Sequence, residues 1–162
     1  MNTPEIPSMS SLEQRTELQS LLNQRLAEAI DLQMDMKQAH WNVKGANFIG
    51  LHQLFDSIAE AVAVYVDQIA ERIVQKGGIA EGTVRVSAAR SRLADYPLAA
   101  SGGVAHIEAV TKALTTFRHE VRNTVDEADE LGDAETADLF ISISRSLDKW
   151  VWFVEAHAHV TQ

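Results

Sequence analysis

The sequence predicts an all-α fold: four long helices in one bundle, joined by two tight turns and one long crossover with room for a short helix. Three observations predict it. Apolar residues recur at three- and four-residue spacing over almost everything after residue 10. Glycines mark breaks at 45, 77–78 and 132. The one stretch without long periodicity lies between about 79 and 102. With 162 residues, 46% of them hydrophobic, the chain can build one domain with a sizeable core, and a second domain is not expected.

Taken in order, residues 1–10 read as a flexible N-terminal arm and 11–162 as the bundle domain. Ser10 and Glu13 have the spacing of a capping box. The first helix then carries Leu18, Leu22, Leu26, Ala29, Gln33, Met36 and His40 along one face, so His40 ends an apolar stripe and points as the core points. The turn "NVKGAN" breaks it. A second helix from about Phe48 to Lys76 is stopped by Gly77-Gly78. The next segment holds "DYP" and "SGG". A third helix runs from about Val104 to Leu131 and stops at Gly132, and Asp133 caps a fourth that ends near His159. Helices of about 25 to 29 residues are about 40 Å long. Tight turns make the first two helices, and the last two, antiparallel. A crossover of about 25 residues can walk back along the whole bundle at about 3.3 Å per residue. This is the ferritin-like topology.

Composition narrows the chemistry. Without cysteine there are no disulfides, thiolate metal sites or cysteine nucleophiles, which leaves nitrogen and oxygen as the strong metal ligands. The N-terminus lacks the basic and apolar regions of a secretory signal, and no apolar run reaches the length of a membrane span, so a cytoplasmic location is expected. A net charge of −9 opposes nonspecific nucleic-acid binding and attracts cations. The charge is uneven: between Glu120 and Asp138 eight carboxylates face one basic residue, Arg122. Such a run is ordinarily a solvated helix face.

The second helix carries the sharper signal. At about 100° per residue, with His52 at the origin, Asp56, Asp67 and Glu71 fall at about 40°, 60° and 100°, all on one face. They form two pairs of i,i+4 spacing, each able to meet one ion. The pairs lie about 16 Å apart, too far for one chain to close on a single ion. Positions 52 and 71 share the midpoint 61.5 with positions 56 and 67. If two copies of this helix pack antiparallel about a two-fold axis there, His52 and Asp56 of one chain face Asp67 and Glu71 of the other, giving two identical sites. Ala59 and Ala63 are small enough to allow the approach. The tight turn folds His40 back towards His52. Each residue alone has a plain structural reading: a cap or a satisfied core group for a histidine, a solvated face or a partner for Arg72 or Lys76 for Asp67 and Glu71; their joint placement points to a metal site. Two imidazoles and three carboxylates suit iron, manganese or zinc. Hard anionic oxygens favour iron(II) bound and then oxidised, with zinc as a competitor.

"KQAHWNVKGANFIGLHQLFD" and then "DQIAER", with "YPL" in the crossover and "DAETADLF" and "SLDKWVWF" in the last helix, resembles the Dps family, the miniferritins that protect bacterial DNA during starvation and oxidative stress. The resemblance covers nearly the whole chain. It implies a hollow dodecamer that oxidises Fe(II), preferably with hydrogen peroxide, and stores a ferric mineral. It also implies a catalytic metal site made of His40, His52 and Asp56 from one chain and Asp67 and Glu71 from its partner. Trp41 resembles a family tryptophan that absorbs stray oxidising equivalents, with ordinary packing as its other reading. Negative pores in the family start near the fourth helix's N-terminus, which places Asp133 and Asp138 on the route by which iron enters, and Glu127 and Glu130 near it.

Two other chemistries lack their residues. No histidine has a glutamate three residues before it, as an in-chain di-iron site requires, and His119-Glu120 lacks the second histidine of a zincin. A DNA-coating particle, in association with the nucleoid, is the alternative reading, and an interaction scaffold that has lost iron chemistry is a third. Residues 1–24 hold one basic residue, Arg15, against Glu5, Glu13 and Glu17, so DNA binding is expected to be weak or absent.

Overall fold

The computed structural model describes residues 9–158, so the expected arm lies outside the described residues except for Met9 and Ser10, which already belong to the first helix. The Ser10 side chain and His159 also lie outside them. The described residues form five helices: α1 (Met9–Asn42), α2 (Phe48–Gln75), α3 (Val84–Arg90), α4 (Gly102–Glu130) and α5 (Ala134–Ala158). Among the described residues there is no strand, and no helix is long and apolar enough to cross a membrane. The crossover contains the short helix, seven residues long, as α3.

α1 packs along α2 and α4 along α5, and the two pairs meet through α1 and α4. The filling is aliphatic with one phenylalanine from each of three helices: Phe55, Phe117 and Phe140 are all fully buried. Leu18, Leu22, Leu26, Ala29 and Met36 are buried in this core as their spacing requires, together with Leu32. α1 and α4 also share a polar centre. Arg25 donates to Glu28 and, through Nε, to Thr124 Oγ1 at 2.9 Å, while its Nη2 lies 3.0 Å from Glu120. A guanidinium inside the bundle is tolerable because carboxylates and a hydroxyl meet it there.

Two turns set the geometry. Gly77, at φ 78°, ends α2 in a Schellman motif: Gly78 N–H donates to Ile73 O and Gly77 N–H to Val74 O, both at 2.9 Å. Gly132 repeats this after α4, with Asp133 N–H on Ala128 O at 2.9 Å. Asp133 then accepts the Thr136 N–H at 3.2 Å, so one residue closes α4 and caps α5.

The crossover is fastened by the polar side of α1. Gln19 donates to Lys76 O at 2.8 Å, Asn23 donates to Ile79 O and accepts from Glu81 N–H, and Gln24 donates to Arg90 O. Ser91 in turn donates to Asp31 at 2.6 Å.

Candidate metal site at the α1–α2 turn and the α2 face

The turn at 43–47 reverses the chain through Gly45, whose φ of 111° is open to glycine and strained for other residues. Phe48 N–H donates to Gly45 O at 3.1 Å and starts α2. The reversal brings His40 and His52 ring to ring, with centroids 3.8 Å apart and planes 20° from parallel. Each imidazole is held by the other's backbone: His40 Nδ1 is 2.7 Å from His52 O, and His52 Nδ1 is 2.8 Å from His40 O. A carbonyl oxygen only accepts, so both Nδ1 atoms carry the hydrogen. Both Nε2 atoms are left with a free lone pair, the form in which a histidine binds metal. Backbone carbonyls that fix tautomer and ring orientation are a usual outer support of such ligands.

Asp56 lies one turn further along α2, and its Oδ1 is 4.0 Å from His40 Nε2. The same oxygen accepts from Lys37 Nζ at 2.6 Å. That hydrogen bond is the chief reason the Asp56 carboxyl sits below its ordinary range; burial opposes it, and the Lys37 charge adds to it, with His40 and His52 adding theirs only when protonated. Lys37 also lies 5.8 Å from the Trp41 ring centroid. Trp41 itself is exposed beside the site. Lys37 is the site residue that sequence reasoning missed. Its only signal was its place one turn before His40, and lysine carries no ligand signature.

Asp67 and Glu71 stand exposed towards the other end of α2. Among the described residues neither makes a hydrogen bond or an ion pair. The cations that could have neutralised them are engaged elsewhere. Arg72 reaches Asp133 at 2.7 Å, Thr136 Oγ1 at 2.8 Å and Glu135 at 3.2 Å, and Lys76 reaches Asp133 at 2.8 Å. The pairing of Asp67 and Glu71 with Arg72 and Lys76, one of the two plain structural readings, is thus absent; the other, a solvated helix face, agrees with their exposure.

Within one chain the two halves stay apart: among the described residues no three His, Asp or Glu side chains lie close enough to hold an ion. The α2 face extends the symmetry of the ligands. Ile49 and Val74 share the midpoint 61.5, lie on the same face, and are both 60% exposed. An antiparallel copy would set each against the other. One expectation needs correcting. Ala59 is buried in its own subunit's core, so Ala63 is the small residue on the outer face.

A second correction concerns Asp133, expected beside Asp138 on an iron route. Its carboxylate is turned inward and buried, with Arg72, Lys76 and the Thr136 N–H upon it. Its charge is spent on tying α2 to the α4–α5 turn. Asp138, Glu127 and Glu130 are exposed.

The chain resembles known proteins along most of its length. A family model described as Ferritin-like domain matches residues 19–162. A DNA protection during starvation protein of Agrobacterium fabrum is 41% identical over 85% of this chain and 85% of its own length. A protein of the same name from Mycolicibacterium smegmatis is 32% identical over 94% of this chain and 82% of its own. Among solved structures, Mycobacterium smegmatis Dps in its tetragonal form superposes with a TM-score of 0.86 at 32% identity, covering 94% of this chain and 92% of that one. DpsA14 from Streptomyces coelicolor does so with a TM-score of 0.85 at 34% identity, over 96% and 89%.

Proposed function

The chain belongs to the Dps family of ferritin-like proteins, and from that membership we propose that it is a ferroxidase that oxidises Fe(II), by preference with hydrogen peroxide, and stores the ferric product inside a hollow dodecamer. Iron storage and protection against oxidative stress are what the family implies. The observation that carries the finer reading is the reciprocal clamp of His40 and His52. It spends both Nδ1–H groups on carbonyls and leaves two Nε2 lone pairs beside an ionised Asp56. Asp67 and Glu71 supply unpaired carboxylates at the position that a two-fold partner would bring alongside.

In this reading Fe(II) is the substrate. The imidazoles and Asp56 gather it from one chain, and Asp67 and Glu71 complete its shell from the other. Anionic oxygen stabilises the ferric state more than the ferrous one and so favours oxidation. Two Fe(II) ions give one electron each to peroxide, the O–O bond breaks to two hydroxides, and no hydroxyl radical is released. Trp41, exposed next to the ligands, is placed to take up a stray oxidising equivalent. Asp138 remains as the carboxylate for an iron route, and zinc would compete for the site. The protein acts in the cytoplasm, with weak or no binding to DNA.

The test uses the site's division between chains. Anaerobic loading with Fe(II), then a small excess of peroxide, should give fast ferric absorbance that saturates with the number of sites and leaves iron soluble. His52→Ala and Glu71→Ala should each slow this severely with the helices intact, and Asp67→Ala likewise. Co-assembling the His52→Ala and Glu71→Ala chains at random should restore about a quarter of the fast sites, because half the dimers are mixed and each mixed dimer has one complete site. No recovery on mixing would place both residues in one chain's site, and unchanged oxidation in the single variants would remove the assignment.

A further inference from the structure

Away from the α2 face, a cleft of about 520 Å³ opens between α1, the crossover at 93–100 and the first half of α4. Its wall is built largely of alanines, with Leu93, Tyr96 and Pro97 from the crossover. Asp35 of α1 lines it. This residue is only 7% exposed, and among the described residues its carboxylate makes no hydrogen bond and no ion pair. The nearby charge is unbalanced. Asp95 and Glu108 line the same cleft, with Asp31 one turn back on α1, against a single cation, Lys112.

What little of Asp35 is exposed faces the cleft, and a carboxylate so enclosed, with no protein partner, is costly and normally satisfied. The cost is visible here: burial, with the charges of Asp31 and Asp95 added, pushes the Asp35 carboxyl up to about 7. Two neighbours that could have relieved it are committed. The Tyr96 hydroxyl is hydrogen-bonded to His106 Nδ1 at 2.6 Å, and Ser91 donates to Asp31. A divalent metal is a poor fit. Its oxygen ligands would have to converge, and among the described residues no three acids or histidines do so. A single positive charge on an apolar body fits both features, since the alanine wall takes the body and Asp35 the charge. The volume is that of a small-ligand pocket.

We propose that this cleft binds a small organic amine as its ammonium ion, with Asp35 as counter-ion. The site is separate from the iron chemistry and does not depend on it. A bound ammonium favours the ionised carboxylate. Binding therefore strengthens as pH rises through the range where Asp35 loses its proton, and weakens below it. Asp31, Asp95 and Glu108 act in the same direction, and Lys112 opposes.

The experiment is calorimetric titration of the assembled, iron-free protein with phenethylamine, against 2-phenylethanol as a neutral body of the same shape. Saturable binding of the amine is expected at pH 8. It should fall about tenfold or more at pH 5.5, where the amine itself keeps its charge. The isosteric Asp35→Asn should lose about as much at pH 8, with helical content and assembly unchanged. Lys112→Gln should bind more tightly than the parent, which tests the charge balance without touching the buried residue. Equal binding of the alcohol would show an apolar groove only. Undiminished binding by Asp35→Asn would put the charge recognition elsewhere. The absence of saturable heat with millimolar amine would show the cleft filled or closed in the assembly. Each of these three results would overturn the proposal.

Discussion

At the scale of single residues, the proposed site is braced by groups that would not themselves touch an ion. The two histidine rings are fixed by carbonyls of the same two residues, so neither can turn without breaking a hydrogen bond to the other. Asp56 is held in place, and in its ionised form, by Lys37. In the proposed site that lysine would be a competitor as well as a brace, because a metal ion arriving at Asp56 would meet a positive charge already there. Replacing it with glutamine removes a repulsion of about 1 kcal/mol for an ion some ångströms further out, at an effective dielectric well above the dry-protein limit. Zinc binding by Lys37→Gln should therefore tighten about fivefold, read by calorimetric titration of the iron-free protein. Weaker binding would mean that Lys37 serves chiefly to aim the carboxylate. The proposed ligands were open to proposal from the sequence because histidine and carboxylate at helical spacing around one midpoint form a pattern. Lys37 was not, since its role depends on the distance across the α1–α2 turn.

At the scale of elements, the four long helices were legible because each break is written in local chemistry. Gly45, Gly77 and Gly132 take backbone angles that strain other residues, and Asp133 caps α5 directly after the last of them. The fastening of the crossover was not legible. Gln19, Asn23 and Gln24 look like solvent-facing residues of α1, and they are bonded to backbone more than fifty positions away. Asp133 shows the same limit. The sequence offers Asp133 as a cap and as a carboxylate on an iron route, and nothing in it tells that the fold puts Arg72 and Lys76 upon it. This clasp fixes the end of α2 that bears Asp67 and Glu71. Asp133→Ala should cost about 2 to 4 kcal/mol in unfolding free energy at pH 7, from a lost cap and a broken ion pair. Asp133→Asn, which can still cap, should cost less. The pH dependence has a definite sign. Burial alone would raise the Asp133 carboxyl, but the Lys76 hydrogen bond, the Thr136 N–H and Arg72 outweigh it and hold it at about 2. Its contribution is thus complete above the ordinary aspartate range near 4 and is lost as pH falls towards 2. Denaturant unfolding of parent and Asp133→Ala should differ fully at pH 6, and the gap should narrow to the share of the cap as pH falls from about 4 towards 2. A gap independent of pH would assign the cost to the cap alone.

At the scale of the whole molecule, charge decides what the protein can touch. The relatives named for DNA protection raise the question of whether this chain coats DNA directly or protects it by removing iron and peroxide. Duplex DNA is held chiefly by cations that displace its counterions. This chain carries −9 overall, with one basic residue in its first 24 positions and no Lys or Arg in "VEAHAHVTQ" at its end. Acidification does not rescue binding: charging all six histidines brings the net charge only to −3. The small basic group at Arg85, Arg90 and Arg92 is reduced further, because Arg90 is paired with Glu81. A gel shift with linear duplex should show no retardation at about 150 mM salt, and any retardation at low salt should vanish with a shallow slope, since few phosphates are neutralised. The same particle, loaded with Fe(II) and challenged with peroxide, should still spare that DNA from nicking, while the Glu71→Ala particle should not. Protection that survives the loss of Glu71, or DNA held fast at physiological salt, would mean that the shield is physical and would put the coating particle in place of the ferroxidase.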